Sequence, residues 1–254
     1  MSLKYTESEV EEFQNPDEGF ETAAKPPLPQ YTIILIGCIV AVFIVQFLTS
    51  QDPSFVSTDR FAAFFAGFDK QAFLNDHEYW RILTGATVHS GVLHVGMNCY
   101  AFYSFGKLFE MLSNRAHLAI VFVLSAIGGG ILSLVFNPDV TSVGASGGIV
   151  GLLGYLAVYA FQRRQFISPA FRKNLLINIG FILVFGLVLY QSIDNFGHIG
   201  GLITGAVYGF LQIPTDEYAD PRVAATTVRT LGFVAIGVYI CTSLLTMYLL
   251  FTAH

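Results

Sequence analysis

Charge is scarce in this chain. Asp, Glu, Lys and Arg make up 12% of its 254 residues, about half the roughly 25% of an ordinary soluble domain. Hydrophobic residues reach 54% and the mean hydropathy is +0.59. A soluble enzyme of this length has no interior large enough to hide that much apolar surface. A disordered protein and a basic nucleic-acid binder are excluded as well, so no nucleic-acid partner is expected. A polytopic, all-α membrane protein remains, with the lipid bilayer as its first partner. Cysteine is equally sparse. Cys38, Cys99 and Cys241 all fall within apolar runs, and their spacing suggests neither a metal site nor a disulfide framework.

The charge that exists is unevenly placed. Residues 1–30 hold seven acids against Lys4 and Lys25, which accounts for the whole net charge of −5. Four prolines and no long apolar run complete that segment. It is expected to be an acidic, mostly disordered cytoplasmic tail, and it lacks the arginine-rich character of a transit peptide and the apolar core of a signal peptide.

Seven apolar runs follow, near 31–49, 93–112, 117–136, 143–161, 174–191, 196–213 and 230–251. Each approaches the roughly 20 residues that cross a bilayer. Arg115, then Arg163, Arg164, Arg172 and Lys173, then Arg222 and Arg229 follow the second, fourth and sixth runs. Basic loops face the cytoplasm, so the amino terminus is expected inside and the carboxyl terminus outside. The 50–92 loop is rich in aromatics, including Phe55, Phe61, Phe64, Phe65, Phe68, Phe73, Tyr79 and Trp80. It either lies in the outer interface or packs over the bundle top.

Polar groups within spans carry most of the functional information, because burying them in lipid is costly. The second span brings His89, His94 and Asn98; the fourth begins Gly144-Ala145-Ser146-Gly147; the sixth begins Asp194-Asn195-Phe196-Gly197-His198. Asn98, Ser146 and His198 lie 17, 17 and 16 residues before Arg115, Arg163 and Pro214. At about 1.5 Å per residue, all three sit roughly 25 Å above the inner edge. Gly201, Gly205 and Gly209 recur every four residues in the sixth span, as do Gly147 and Gly151 in the fourth. Such spacing lets two backbones approach closely and predicts that Ser146 faces His198.

A serine needs a base to become a nucleophile, and imidazole is the usual one. An oxyanion then needs donors, which the backbone N–H of Ser146, Asn98 and His94 can supply. Asp194 is four residues before His198. It, or Asn195, is a better candidate for a helix cap than for a third catalytic member, so a Ser–His dyad is expected. The irregular 137–143 segment must line a wet cavity, because its backbone cannot face lipid. No HExxH and no GxGD occurs, which removes the zinc and aspartyl intramembrane proteases; no metal and no cofactor is implied. Each residue also has a plain reading: Ser146 as a small helix-start residue, the histidines as bundle residues, the whole set as a transport path.

Taken in order, Trp80-Arg81, His89…His94…Asn98, Gly144-Ala145-Ser146-Gly147 and His198-Ile199-Gly200-Gly201 with Gly205 resemble the rhomboid intramembrane serine proteases. The resemblance implies a six-helix catalytic core over 31–213, a cytoplasmic linker over 214–229 and an extra seventh transmembrane helix over 230–251. It makes Ser146 the nucleophile and His198 the general base, and matches His94 and Asn98 to the oxyanion hole. Arg81 and Glu110 match structural positions, as do Gly144, Gly147, Gly201 and Gly205. The implied substrates are single-pass transmembrane proteins cut near their outer boundary; the sequence leaves their identity and the oligomeric state open. Val150 departs from the pattern, where many members place an aromatic against the base. A client-binding, catalytically inactive rhomboid-like protein is the alternative. The expected membrane is a bacterial inner membrane, or else one of the eukaryotic secretory pathway.

Overall fold

The computed structural model describes residues 28–50, 60–189 and 193–253. The expected acidic tail therefore lies outside the described residues apart from 28–30, and Phe55 lies outside them too. Among the described residues the structure is all-helical: α1 (Gln30–Thr49), α2 (Arg60–Ala66), α3 (Lys70–Asn75), α4 (Arg81–Thr84), α5 (Val92–Leu112), α6 (Arg115–Phe136), α7 (Ser146–Gln162), α8 (Pro169–Val188), α9 (Asn195–Gln212) and α10 (Thr226–Thr252). Four of them, α1, α6, α8 and α10, are long and apolar enough to cross a membrane. The chain is an integral, multi-pass membrane protein. The other three expected spans fall short of that measure. The α7 helix is apolar but has only 17 residues, while α5 and α9 are diluted by the polar and glycine residues that give them their interest.

Local chemistry sets the helix ends. Asn114 caps α6 by accepting from the His117 N–H at 3.0 Å. Ser168 caps α8, with Pro169 at its first position, where a missing N–H costs nothing. The α8 helix therefore starts five residues earlier than the hydropathy suggests, and Arg172 and Lys173 belong to its first turns rather than to a loop. Arg163 stands just past the end of α7, where the sequence places it, but it is turned inward. Only 4% exposed, it donates to the carbonyls of Pro214, Asp216, Glu217 and Ala219, and so clamps the segment after α9 against the end of α7.

The centre of the bundle is α9, wedged between α6 and α7. A Cβ on Gly201 would sit 2.0 Å from the Gly147 carbonyl oxygen, one on Gly205 1.9 Å from that of Gly151, and one on Gly154 2.2 Å from that of Leu202. On the other side a Cβ on Gly200 would meet the Gly128 oxygen at 2.6 Å, and one on Gly129 the Gly197 oxygen at 2.5 Å. The α6 contact was not read from the sequence, although Gly128-Gly129-Gly130 offered the signal. Toward the other end of the same helices, the Tyr208 hydroxyl meets His117 Nδ1 and the Tyr155 hydroxyl meets Ser113 Oγ, each at 2.8 Å.

The outer elements are tied to this centre by polar contacts. Glu110 in α5 accepts from both the N–H and the hydroxyl of Thr32, at 2.8 Å each, which caps the first turn of α1. The approach requires Gly106, where a Cβ would lie 2.5 Å from Thr32 Oγ1. The last helix, α10, packs on α1 and α6. Its Tyr239 hydroxyl donates to the Ala86 carbonyl and its Thr246 meets Thr87.

Gly205→Ala forces α7 and α9 apart and is expected to cost about 1–3 kcal/mol, the usual range for overpacking. Gly237→Ala, in α10 with nothing within 4 Å of the added carbon, is expected to leave stability unchanged or slightly raised. Thermal unfolding of the two variants in one detergent checks the difference; equal melting temperatures would contradict the packing.

Candidate active site

The 137–145 connection runs between α6 and α7 and sets where α7 begins. Ser142 pairs with Phe68 through two backbone hydrogen bonds, Phe68 N–H to the Ser142 oxygen at 2.9 Å and Ser142 N–H to the Phe68 oxygen at 3.1 Å. Gly144 then turns with φ of +116°, and its N–H donates to the Gly85 carbonyl. A side chain there would be strained, and its Cβ would also strike the His94 ring at 2.8 Å. The Ala145 N–H points at His89 Nε2 at 3.4 Å. Ser146 follows as the first residue of α7, where backbone N–H groups have no intrahelical acceptor.

Helix α9 is started by Asp194, whose Oδ1 accepts the Gly197 N–H at 2.9 Å and whose carbonyl accepts the His198 N–H at 3.1 Å. One turn in, His198 is buried, and its Nε2 lies 2.8 Å from Ser146 Oγ. The Nδ1 atom of His198 is buried with no hydrogen-bond partner among the described residues. Asp194 serves as a cap and does not reach that nitrogen. A cavity of about 50 Å³ beside Ser146 is lined by Phe68, Ser142, Gly144 and Asp194, among others. That is room for a water or two.

The remaining predicted residues fall around this pair. His94 Nδ1 faces both the N–H and the hydroxyl of Ser90, at 3.3 and 2.9 Å. A ring nitrogen that accepts the amide proton leaves the other nitrogen as a donor, so Nε2–H is turned toward Gly144. Asn98 is buried and gives one of its two amide protons to the His94 carbonyl at 3.0 Å. His89 is fully buried in the segment before α5. Its Nδ1 meets the Thr87 carbonyl, and its main chain pairs with the Gln46 carboxamide. Its role as a strut under Ala145 was not read from the sequence. Val150 is buried within α7.

The first loop packs with one face on the bundle. Ala62, Ala66 and Phe68 are buried, while Phe64, Tyr79 and Trp80 are exposed. Arg81 donates to the carbonyls of Phe64 and Gly67, at 3.0 Å each, and pairs with Glu78. It thereby terminates α2 and fixes the turn into Phe68. Asp69 caps α3, and the Ala72 N–H it accepts, with Thr141 and Gln71 beside it, holds its carboxyl below the ordinary range. Lys70 is buried, and its desolvation pulls the ammonium below its usual value against the opposing charges of Asp194 and Asp69.

The family described as the Rhomboid domain matches residues 76–215, more than half of the chain. The protein belongs to the rhomboid family. It is 33% identical over 177 residues to rhomboid protease GluP of Bacillus subtilis, covering 70% of this chain and 34% of that protein. To RHOMBOID-like protein 6, mitochondrial, of Arabidopsis thaliana, it is 32% identical over 147 residues, covering 57% and 47%. To inactive rhomboid protein 1 of Bos taurus, it is 33% identical over 140 residues, covering 54% and 16%. The matched segment spans less than half the length of each of these three relatives. The Rhomboid match contains α4 to α9, and with them Arg81, His94, Asn98, Ser146 and His198.

Glu110→Ala strips the two Thr32 donors of their acceptor, and hydrogen bonds to charged groups are worth about 1.5–3 kcal/mol. The variant is expected to unfold at a lower temperature, with Glu110→Gln recovering part of the loss. Unchanged melting in Glu110→Ala would show that α1 is held by packing alone.

Proposed function

We propose that this rhomboid is an intramembrane serine endopeptidase that cuts transmembrane proteins near the outer boundary of the bilayer. The observation that carries the reading is the 2.8 Å contact between Ser146 Oγ and His198 Nε2 across the tight α7–α9 seam. The Ser146 hydroxyl donates to Nε2, which leaves the ring proton on Nδ1. As Oγ attacks the scissile carbonyl carbon, its proton passes to Nε2. The C–N bond then breaks as Nε2 returns that proton to the departing amine. Water, activated by the same imidazole, releases the acyl group from Ser146. The developing oxyanion is met by the Ser146 N–H, by His94 Nε2–H and by the second amide proton of Asn98. No cofactor enters this chemistry.

Seven spans are part of the proposal: α1, α5, α6, α7, α8 and α9 as the core, with α10 as the seventh. The basic residues at Arg115, Arg163–Arg164 and Arg222 favour an amino terminus in the cytoplasm, which would put the dyad in the outer half of the bilayer. Its substrates are single-pass membrane proteins. The same chain with Ser146 or His198 idle would be a client-binding rhomboid without protease activity, and one relative is named an inactive rhomboid protein; the presence and contact of both residues favour the protease.

The test is cleavage of a single-pass protein carrying an Ala–Gly pair near its outer boundary, in reconstituted vesicles. Wild type is expected to cut, and Ser146→Ala and His198→Ala to cut nothing while melting normally. Cutting by Ser146→Ala would refute the dyad. Asn98→Ala is expected to lower kcat by up to about 10²–10³-fold, the loss known for one oxyanion donor; an unchanged kcat removes Asn98 from the mechanism.

A further inference from the structure

The buried charge of Lys70 lies outside the mechanism. Lys70 opens α3 in the first loop and is only 1% exposed. An ammonium buried this deeply requires acceptors. Its Nζ donates to the Val140 carbonyl and to Ser142 Oγ, and it lies 5.2 Å from the centre of the Phe68 ring. The Ser142 hydroxyl in turn donates to Asp194 Oδ2 at 2.5 Å, and Ser133 from α6 donates to the same oxygen at 2.5 Å. The other oxygen of Asp194 caps α9 one residue before His198. A continuous hydrogen-bonded path thus runs from the Lys70 ammonium through one hydroxyl to the carboxylate that starts the base-bearing helix. Ser142 is also the residue whose main chain pairs with Phe68, four positions before Ser146.

We infer that Lys70, through Ser142 and Asp194, is a positioning residue for the dyad: it locks the first loop, the Ser146-bearing connection and the first turn of α9 into one register. Three observations support it. The path touches both segments that end on Ser146 and His198. Asp194 is fully committed, with Oδ1 on the Gly197 N–H and Oδ2 on two hydroxyls, so its orientation follows theirs. The Lys70 ammonium is a positive charge at the other end of the path from that carboxylate. No part of the path touches His198 Nδ1, so the effect passes through geometry. The inference rests on the Ser146–His198 protease reading.

The experiment uses the full chain in vesicles with the single-pass test substrate, and measures kcat, KM and the capture of Ser146 by a fluorophosphonate. A misplaced dyad slows capture while every molecule is still captured; a folding defect lowers the captured fraction and leaves the rate of the rest intact. Lys70→Met is expected to lower kcat and the capture rate by about tenfold, as small misplacements at a reacting centre do, with KM and the captured fraction unchanged. Asp194→Asn keeps a capping side chain but removes the charge that Lys70 serves. In the Lys70→Met/Asp194→Asn double variant the loss is expected to be no greater than in the slower single variant, because coupled residues are not additive. Wild-type kcat in Lys70→Met, or single losses that simply multiply, would overturn the inference. Should Lys70→Met fail to fold, Ser142→Ala breaks the same path by one hydroxyl, and an unchanged capture rate there overturns it. Wild type that neither cuts nor is captured overturns the protease reading and this inference together; an active wild type with a silent path overturns the inference alone.

Discussion

The structure depends on how closely α9 approaches its neighbours. Backbone carbonyls of Gly147 and Gly151 lie where Gly201 and Gly205 would carry side chains, and Gly128 and Gly129 make the same demand from the opposite face. In a bilayer there is little hydrophobic gain from pressing apolar helices together, so dispersion contacts between close backbones have to hold them. That seam does two things at once. It supplies packing at the centre of the bundle, and it fixes the separation of two helices whose first turns carry Ser146 and His198. A methyl group at the seam is therefore expected to disturb both the packing and the Ser146–His198 contact.

The ends of the helices are governed by a different constraint. Irregular backbone next to lipid must find partners within the protein, and here buried polar side chains supply them. Arg81 takes the carbonyls at the end of α2, Arg163 takes four carbonyls after α9, Glu110 takes the donors of α1, and Lys70 takes the 140–142 segment. Each is a charged residue spent on main-chain groups or on a buried network rather than on solvent.

The parts of this arrangement legible in the sequence are those with a period. Glycines four apart exposed the α7–α9 seam, and the equal spacing of Ser146 and His198 from the residues that end their spans anticipated their contact. Other parts have no local signature. Arg163 reads as one more loop base, because nothing near it announces the carbonyls some fifty residues away. Lys70 and Asp194 are far apart in sequence and are joined through Ser142, which lies two residues ahead of the Gly144-Ala145-Ser146-Gly147 motif and is not part of it. His89 was visible, but its use as an acceptor for Ala145 depends on a turn that the positive φ of Gly144 creates. Span lengths misled at α8, where capping by Ser168 outweighs the hydropathy of Arg172 and Lys173.

Under the protease reading, the glycine seam is what brings Ser146 and His198 together as a reactive pair. The direct measurement is the rate at which a fluorophosphonate modifies Ser146 in wild type and in Gly201→Ala, with the modified residue identified by mass spectrometry. Ser146 is expected to be the residue modified in wild type, and modification is expected to slow by about tenfold or more in folded Gly201→Ala, as displacement at a reacting centre requires. Equal rates in the two proteins, or modification at another residue, would contradict it.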